Sequence, residues 1–207
     1  MCSKPPHVKL FAAVEEENLS SVEAILSKGS VDLGFQHHDF GGQTVLHRAA
    51  RHLDAGILKA LLKAGADPLV VSQDGKTALM TAVYFGNVQA VKTIIEIGIN
   101  DLLGMIDDSR ANAFHYGSQK GRAEILTLLL NVCPGDAQNF VNACDAGNNT
   151  PLHKAALGGH NSAIRVLLDH GADPAAKNFD NMTAAECCAF AKPDGYESCV
   201  EMLQSKK

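Results

Sequence analysis

One four-residue pattern returns along this chain: Thr44-Val45-Leu46-His47, Thr77-Ala78-Leu79-Met80, Asn112-Ala113-Phe114-His115 and Thr150-Pro151-Leu152-His153. A degenerate copy follows at Thr183-Ala184-Ala185-Glu186. The first residues stand at 44, 77, 112, 150 and 183, in steps of 33, 35, 38 and 33. A segment of that length cannot bury a core alone, so the period describes a stack of small units that stabilise one another. Such a stack offers an extended surface rather than one deep pocket, which disfavours most enzymatic readings.

The copy at 150 explains its own local structure. Thr150 can cap a helix by accepting an orphan N–H of the first turn. Pro151 falls at the first helical position, where its missing N–H does no harm. Leu152, Ala155 and Ala156 make a small-residue face that lets neighbours approach. Gly158-Gly159 ends the helix, and Ile164, Leu167 and Leu168 mark a second one at helical spacing. Gly171 closes that second helix as a left-handed cap, and Asp173-Pro174 opens an extended connection. The same scheme fits Leu46 to Gly65, Leu79 to Gly98 and Phe114 to Leu130. Upstream, Leu10 to Gly29 supplies a helix pair without a preceding loop, its Glu15-Glu16-Glu17 forming a solvated cap face. Downstream, Ala185, Val200 and Leu203 fit with three extra residues in the inter-helix turn.

Thr-Pro-Leu-His at 150–153 and Gly-Ala-Asp-Pro at both 65–68 and 171–174 resemble the ankyrin repeat family, over roughly residues 7–204. The resemblance implies an all-α solenoid of antiparallel helix pairs with projecting β-hairpin-like loops. It is read as a single repeat domain over 1–207, with repeats at about 7–35, 40–72, 73–105, 108–140, 146–178 and 179–207. It also assigns His47, His115 and His153 to hydrogen-bonded scaffold rather than to catalysis or metal binding.

The departures from the regular pattern are informative. Leu62 to Thr77 and Leu168 to Thr183 span 15 residues, whereas Leu26 to Thr44, Ile95 to Asn112 and Leu130 to Thr150 span 18, 17 and 20. Three loops are therefore lengthened. Val132-Cys133-Pro134-Gly135-Asp136 replaces a glycine cap, so that junction should be irregular. Arg110 stands where the family's hairpin carries glycine, which requires either another turn or a non-glycine residue at positive φ.

The remaining motifs carry no chemistry. No Gly-Lys-[Ser/Thr] follows Gly41-Gly42, and no Gly-x-Ser-x-Gly elbow is present. His37-His38 are adjacent on an extended segment and point to opposite sides, a poor chelate. The six cysteines include no Cys-x-x-Cys pair and are read as small buried residues, with Cys2 and Cys144 the exposed, oxidisable ones. No catalytic residue, metal site or cofactor is expected. The net charge of −5 and the absence of a Lys/Arg stripe disfavour nucleic acid. Lys206-Lys207 is read as a solvated tail. No apolar run is long enough to span a membrane, and Met1-Cys2-Ser3-Lys4-Pro5-Pro6 lacks a signal-peptide core. The expected setting is the cytoplasm or nucleus, with an exported effector acting inside a host cell as the alternative. A monomer is expected.

Carried over by register, the family's binding positions fall at the hairpin tips and on the exposed side of each first helix, lining a concave face. The candidate partner-binding residues are Phe40, Arg51, His52, Gln73, Tyr84, Phe85, Asp108, Lys120 and Phe179. Five aromatics (Phe40, Tyr84, Phe85, Phe179 and Phe190) fall in this register, from a chain with three tyrosines and eight phenylalanines. Aromatics dominate interface hot spots, so the expected function is a non-enzymatic protein-binding adaptor. The alternatives are an inhibitor docked onto a partner enzyme, or a substrate for hydroxylation at Asn142. That residue resembles the loop asparagine modified in many members of the family.

Overall fold

Helices alternate with tight turns through the computed structural model, which describes residues 5–29, 31–52, 55–98, 100–133, 135 and 137–205. Cys2 and Lys206-Lys207, together with Pro134 and Asp136 of the irregular junction, lie outside the described residues. The chain divides into two compact units, Met1–Leu102 and Leu103–Lys207.

In the first unit, α1 (Pro6–Glu15) and α2 (Leu19–Leu26) form a helix pair. They are followed by α3 (Val45–Ala49) with α4 (Gly56–Lys63), then α5 (Ala78–Phe85) with α6 (Val88–Glu96). A short α7 (Asn100–Gly104) spans the division. In the second unit α8 (Ala113–Gln119) pairs with α9 (Ala123–Asn131), and a one-turn α10 (Gln138–Val141) follows. Then come α11 (Pro151–Leu157) with α12 (Asn161–Asp169), and α13 (Ala184–Ala191) with α14 (Tyr196–Gln204). Within each unit, first helices pack on first helices and second on second: α1 on α3 on α5, α2 on α4 on α6, α8 on α11 on α13, α9 on α12 on α14. This is the all-α solenoid packing of ankyrin-type repeats. The described residues contain no β-strand, only an isolated antiparallel bridge between His37 and Gln43.

Side-chain caps open α2, α3, α5, α6, α8, α11 and α13. Thr77 Oγ1 accepts the Met80 N–H at 3.2 Å, and Asn87 Oδ1 accepts that of Ala90 at 2.9 Å. Gly29, Gly65, Gly98 and Gly171, all in the left-handed region, follow the ends of α2, α4, α6 and α12, whereas α9 is capped by Val132. Leu46, Leu58, Leu61, Leu79 and Ile94 form the buried seam of the first unit. Phe114, Leu126, Leu129, Leu152, Ile164 and Leu167 form that of the second.

The lengthened loops fold in three different ways. The residues before Asn112 make α7, whose Leu102 and Leu103 are both buried. Those before Thr150 make α10, whose Phe140 stacks on Phe114 at 5.9 Å and accepts a bond from Asn112 Nδ2 at 3.3 Å. The extension before Thr44 places Phe35 against His7, ring centroids 4.0 Å apart, and edge-on to Phe11 at 6.2 Å.

Candidate functional site

Each motif histidine clamps its unit to the next hairpin. The Thr44 N–H donates to Nδ1 of His47 at 3.2 Å, while Nε2 lies 2.8 Å from the carbonyl of Lys76. His153 repeats this with the Thr150 N–H at 3.2 Å and the Met182 carbonyl at 3.0 Å. His115 does so with the Asn112 N–H at 3.2 Å and the Asn149 carbonyl at 3.0 Å. Every acceptor is the residue just before the next copy of the motif. Burial holds all three rings below the ordinary histidine value, partly offset by the bond to that carbonyl. At the degenerate copy Glu186 supplies the intra-unit half: its Oε2 accepts the Thr183 N–H at 2.7 Å.

These clamps hold a row of turns in each unit. Ser72 N–H bonds the Lys76 carbonyl (2.9 Å), Asp107 N–H that of Ala111, Asp145 N–H that of Asn149 and Asn178 N–H that of Met182 (each 3.0 Å). Asp107, Asp145 and Asn178 stiffen their turns by accepting from backbone N–H groups two and four residues on. Adjacent turns are then stitched together. The Gln73 N–H donates to the Gly41 carbonyl at 2.9 Å, that of Ala146 to Ser109 at 2.7 Å and that of Phe179 to Gly147 at 3.1 Å. Gly42 has φ 69°, and a Cβ there would lie 2.6 Å from Gln73 Cγ and 3.1 Å from its backbone nitrogen. Only glycine permits that approach. Arg110 resolves the hairpin question in favour of the strained option: it keeps the family's turn at φ 60°, as Asn148 and Asn181 do at 57° and 58°.

The first unit brings six of the candidate side chains onto its turn-and-first-helix side. Phe40 is half-buried, stacked on Phe11 at 6.1 Å, with the Arg48 guanidinium 4.4 Å above its ring. Arg48 also donates to both carboxylate oxygens of Glu15, at 2.5 and 2.6 Å, and this bond holds Glu15 below the usual carboxylate range. Arg51 sits 4.9 Å over the ring of Phe85, which meets Tyr84 edge-on at 5.3 Å. Phe85 is 42% exposed and Tyr84 half-buried. His52 Nδ1 is 3.0 Å from Glu17 Oε1, and Gln73 is exposed at its turn. The acidic run at 15–17 is thus partly engaged with Arg48 and His52.

In the second unit Asp108 is exposed at its turn and Lys120 is exposed at the end of α8. Phe179 is 77% exposed although its N–H is fixed to Gly147. Phe190 on α13 and Leu157 on α11 add further exposed apolar side chains. Asn142 is half-buried, and its carboxamide is used at both ends: Nδ2 donates to the Gly171 carbonyl at 2.9 Å, and Oδ1 accepts the Asp173 N–H at 2.8 Å. Cys144 is half-buried.

Arg48 escaped the sequence reading because it follows the motif histidine, a scaffold position. Its one signal was the acidic run a full period upstream. His37 packs its ring 4.9 Å from Phe11 and 4.6 Å from Phe40, whereas His38 is 95% exposed, so the two rings face apart. Among the described residues no three His, Cys, Asp or Glu side chains gather as a metal site. Nor is any helix long and apolar enough to cross a membrane.

The family described as ankyrin repeats (3 copies) matches at residues 10–103, 53–139 and 114–207. NF-kappa-B inhibitor delta of Mus musculus is 32% identical over 198 residues, covering 83% of this chain and 59% of that protein. SH3 and multiple ankyrin repeat domains protein 2 of Homo sapiens is 31% identical over 183 residues, 87% of this chain and 9% of that protein. The chain spans from 9% to 59% of the length of the curated relatives it matches. Among solved structures, it is similar to a chain in the predatory endopeptidase Bd0816 from Bdellovibrio bacteriovorus in complex with immunity protein Bd3460. That match has a TM-score of 0.79 and 25% identity, and each chain is covered over 100% of its length.

Proposed function

Since this chain belongs to the ankyrin-repeat family, we propose that it is a non-enzymatic protein-binding module that engages a protein partner through its turn tips and the exposed ends of its first helices. The observation that carries this reading is Phe179, a large apolar ring held out at 77% exposure on a turn whose backbone is hydrogen-bonded in place. A rigid exposed aromatic loses little entropy when a partner covers it. Phe85, with Arg51 stacked on it and Tyr84 beside it, offers a second anchor of the residue types that carry binding energy. The contact set further comprises Phe40, His52, Gln73, Asp108 and Lys120. With both charge signs represented, it fits a protein surface better than a polyanion. The module acts as a monomer inside a cell, without cofactor.

A second reading, favoured by the end-to-end likeness to a chain from an endopeptidase–immunity protein complex, is an inhibitor docked onto a partner enzyme. Co-purification of a partner, followed by assay of that partner's activity with and without this chain, separates the two. An adaptor leaves activity unchanged, an inhibitor suppresses it, and failure of the wild type to retain any protein that the Phe179→Ala variant releases contradicts both.

A further inference from the structure

We propose that Cys188 and Cys199 form an oxidisable dithiol that closes to a disulfide joining α13 to α14. Both side chains are fully buried, on two helices packed against each other and joined by the four residues 192–195. The Cys188 thiol reaches across to the Tyr196 carbonyl at 3.7 Å, on the first turn of α14. Cys199 lies three residues further along the same face, and the neighbouring Cys188 thiol helps, after burial, to raise the Cys199 thiol above its ordinary value. Cys187 faces another way: its sulfur accepts from Asn178 Nδ2 at 3.6 Å, toward the turn preceding α13. Of the vicinal pair, only Cys188 is placed to meet Cys199.

Burial raises the Cys199 thiol well above its ordinary value, so the closed helix pair holds almost no thiolate there. Oxidation therefore runs through local opening of α14 about the turn in which Lys192 and Gly195 both take left-handed backbone, at φ 48° and 73°. With glutathione disulfide as oxidant, the deprotonated sulfur of Cys188 attacks one glutathione sulfur and displaces the other as a thiol. The deprotonated Cys199 sulfur then attacks the Cys188 sulfur, forming the protein disulfide and releasing the second glutathione thiol. Two protein thiols are oxidised and one glutathione disulfide is reduced to two thiols. The link closes a short loop in the unfolded chain and resists separation of the two helices. It also fixes α13, the helix that carries the exposed Phe190.

The test uses the full chain, purified reduced and equilibrated in glutathione buffers of stepped oxidised-to-reduced ratio. Samples are quenched by alkylation in denaturant and read by intact mass and peptide mapping. The expected product is lighter by two hydrogens, links the Cys188 and Cys199 peptides, melts higher and reverts with dithiothreitol. Amide exchange in α14 slows by about tenfold on oxidation. Cys188→Ser and Cys199→Ser each abolish the product, and Cys187→Ser retains it; alanine variants replace any serine variant that fails to fold. Thiols that remain alkylatable across the whole range, or a disulfide mapping to other cysteines, would overturn the proposal.

Discussion

The Nε2 of His47 lies 2.8 Å from the carbonyl oxygen of Lys76, twenty-nine residues later and one residue before the next Thr-x-Leu motif. Because Nδ1 of the same ring receives the Thr44 N–H, the ring is neutral, with its proton on Nε2. One side chain therefore caps its own helix and fastens the following turn. Replacing His47 or His153 with alanine strips a partner from a buried N–H and a carbonyl at once. Each change should lower stability by about 1–3 kcal/mol, read from urea midpoints. Met80, buried at the equivalent position, has no such N–H to donate, so Met80→Leu should cost less than about 1.5 kcal/mol.

The same rings predict an acid sensitivity with a definite sign. Burial depresses His47, His115 and His153 below the 6.5 of a free histidine. Between the folded values and 6.5 the unfolded chain binds more protons than the native one, so stability falls as pH falls through that window. Above it both states are neutral at these rings and their contribution is flat. Unfolding midpoints measured from about pH 8 down to about pH 5 should show this bend, and the slope should be shallower in His153→Gln.

Much of this was legible in advance because the physics is local and periodic. Thr150-Pro151, Gly171 and the apolar spacing of Ile164, Leu167 and Leu168 each announce a cap, a stop or a face without reference to the rest of the chain. Arg110 could be narrowed to two outcomes for the same reason. The added segments could be counted but not shaped. Four residues at Gln138–Val141 are too few to show a helical period, and their helix depends on Phe140 reaching Phe114. Likewise nothing local to Phe40 reveals that Phe11 and Arg48, from two helices, will both pack on its ring. Exposure is set by tertiary neighbours, so the register could locate the candidate aromatics without saying how far each would be covered.

Arg110 holds a left-handed conformation that glycine adopts freely and arginine does not. Arg110→Gly should therefore stabilise the chain by about 0.5–1 kcal/mol, after allowing for the greater freedom of glycine in the unfolded state. Asn148→Gly and Asn181→Gly should be near neutral, because asparagine tolerates this region. Thermal melts of the three variants make the comparison.

Asn142 ties the segment after α10 to the loop after α12 through both ends of its carboxamide. Asn142→Ala should cost about 1–2 kcal/mol, seen as a lower urea midpoint. We propose that hydroxylation at its Cβ would leave both bonds in place, so a modified form should melt like the unmodified one. Peptide mass mapping of protein isolated from cells, seeking one added oxygen on the peptide containing Asn142, tests for it.

The binding proposal meets its most direct test in the affinity of the co-purified protein partner for the wild type and for Phe179→Ala, with thermal melts recorded in parallel. Phe179 is mostly in solvent, so its removal should leave the melting temperature almost unchanged while weakening the partner by about 1–3 kcal/mol. Unaltered affinity in Phe179→Ala, or a loss of binding that tracks a loss of folding, would contradict the proposal that this exposed turn is where the partner docks.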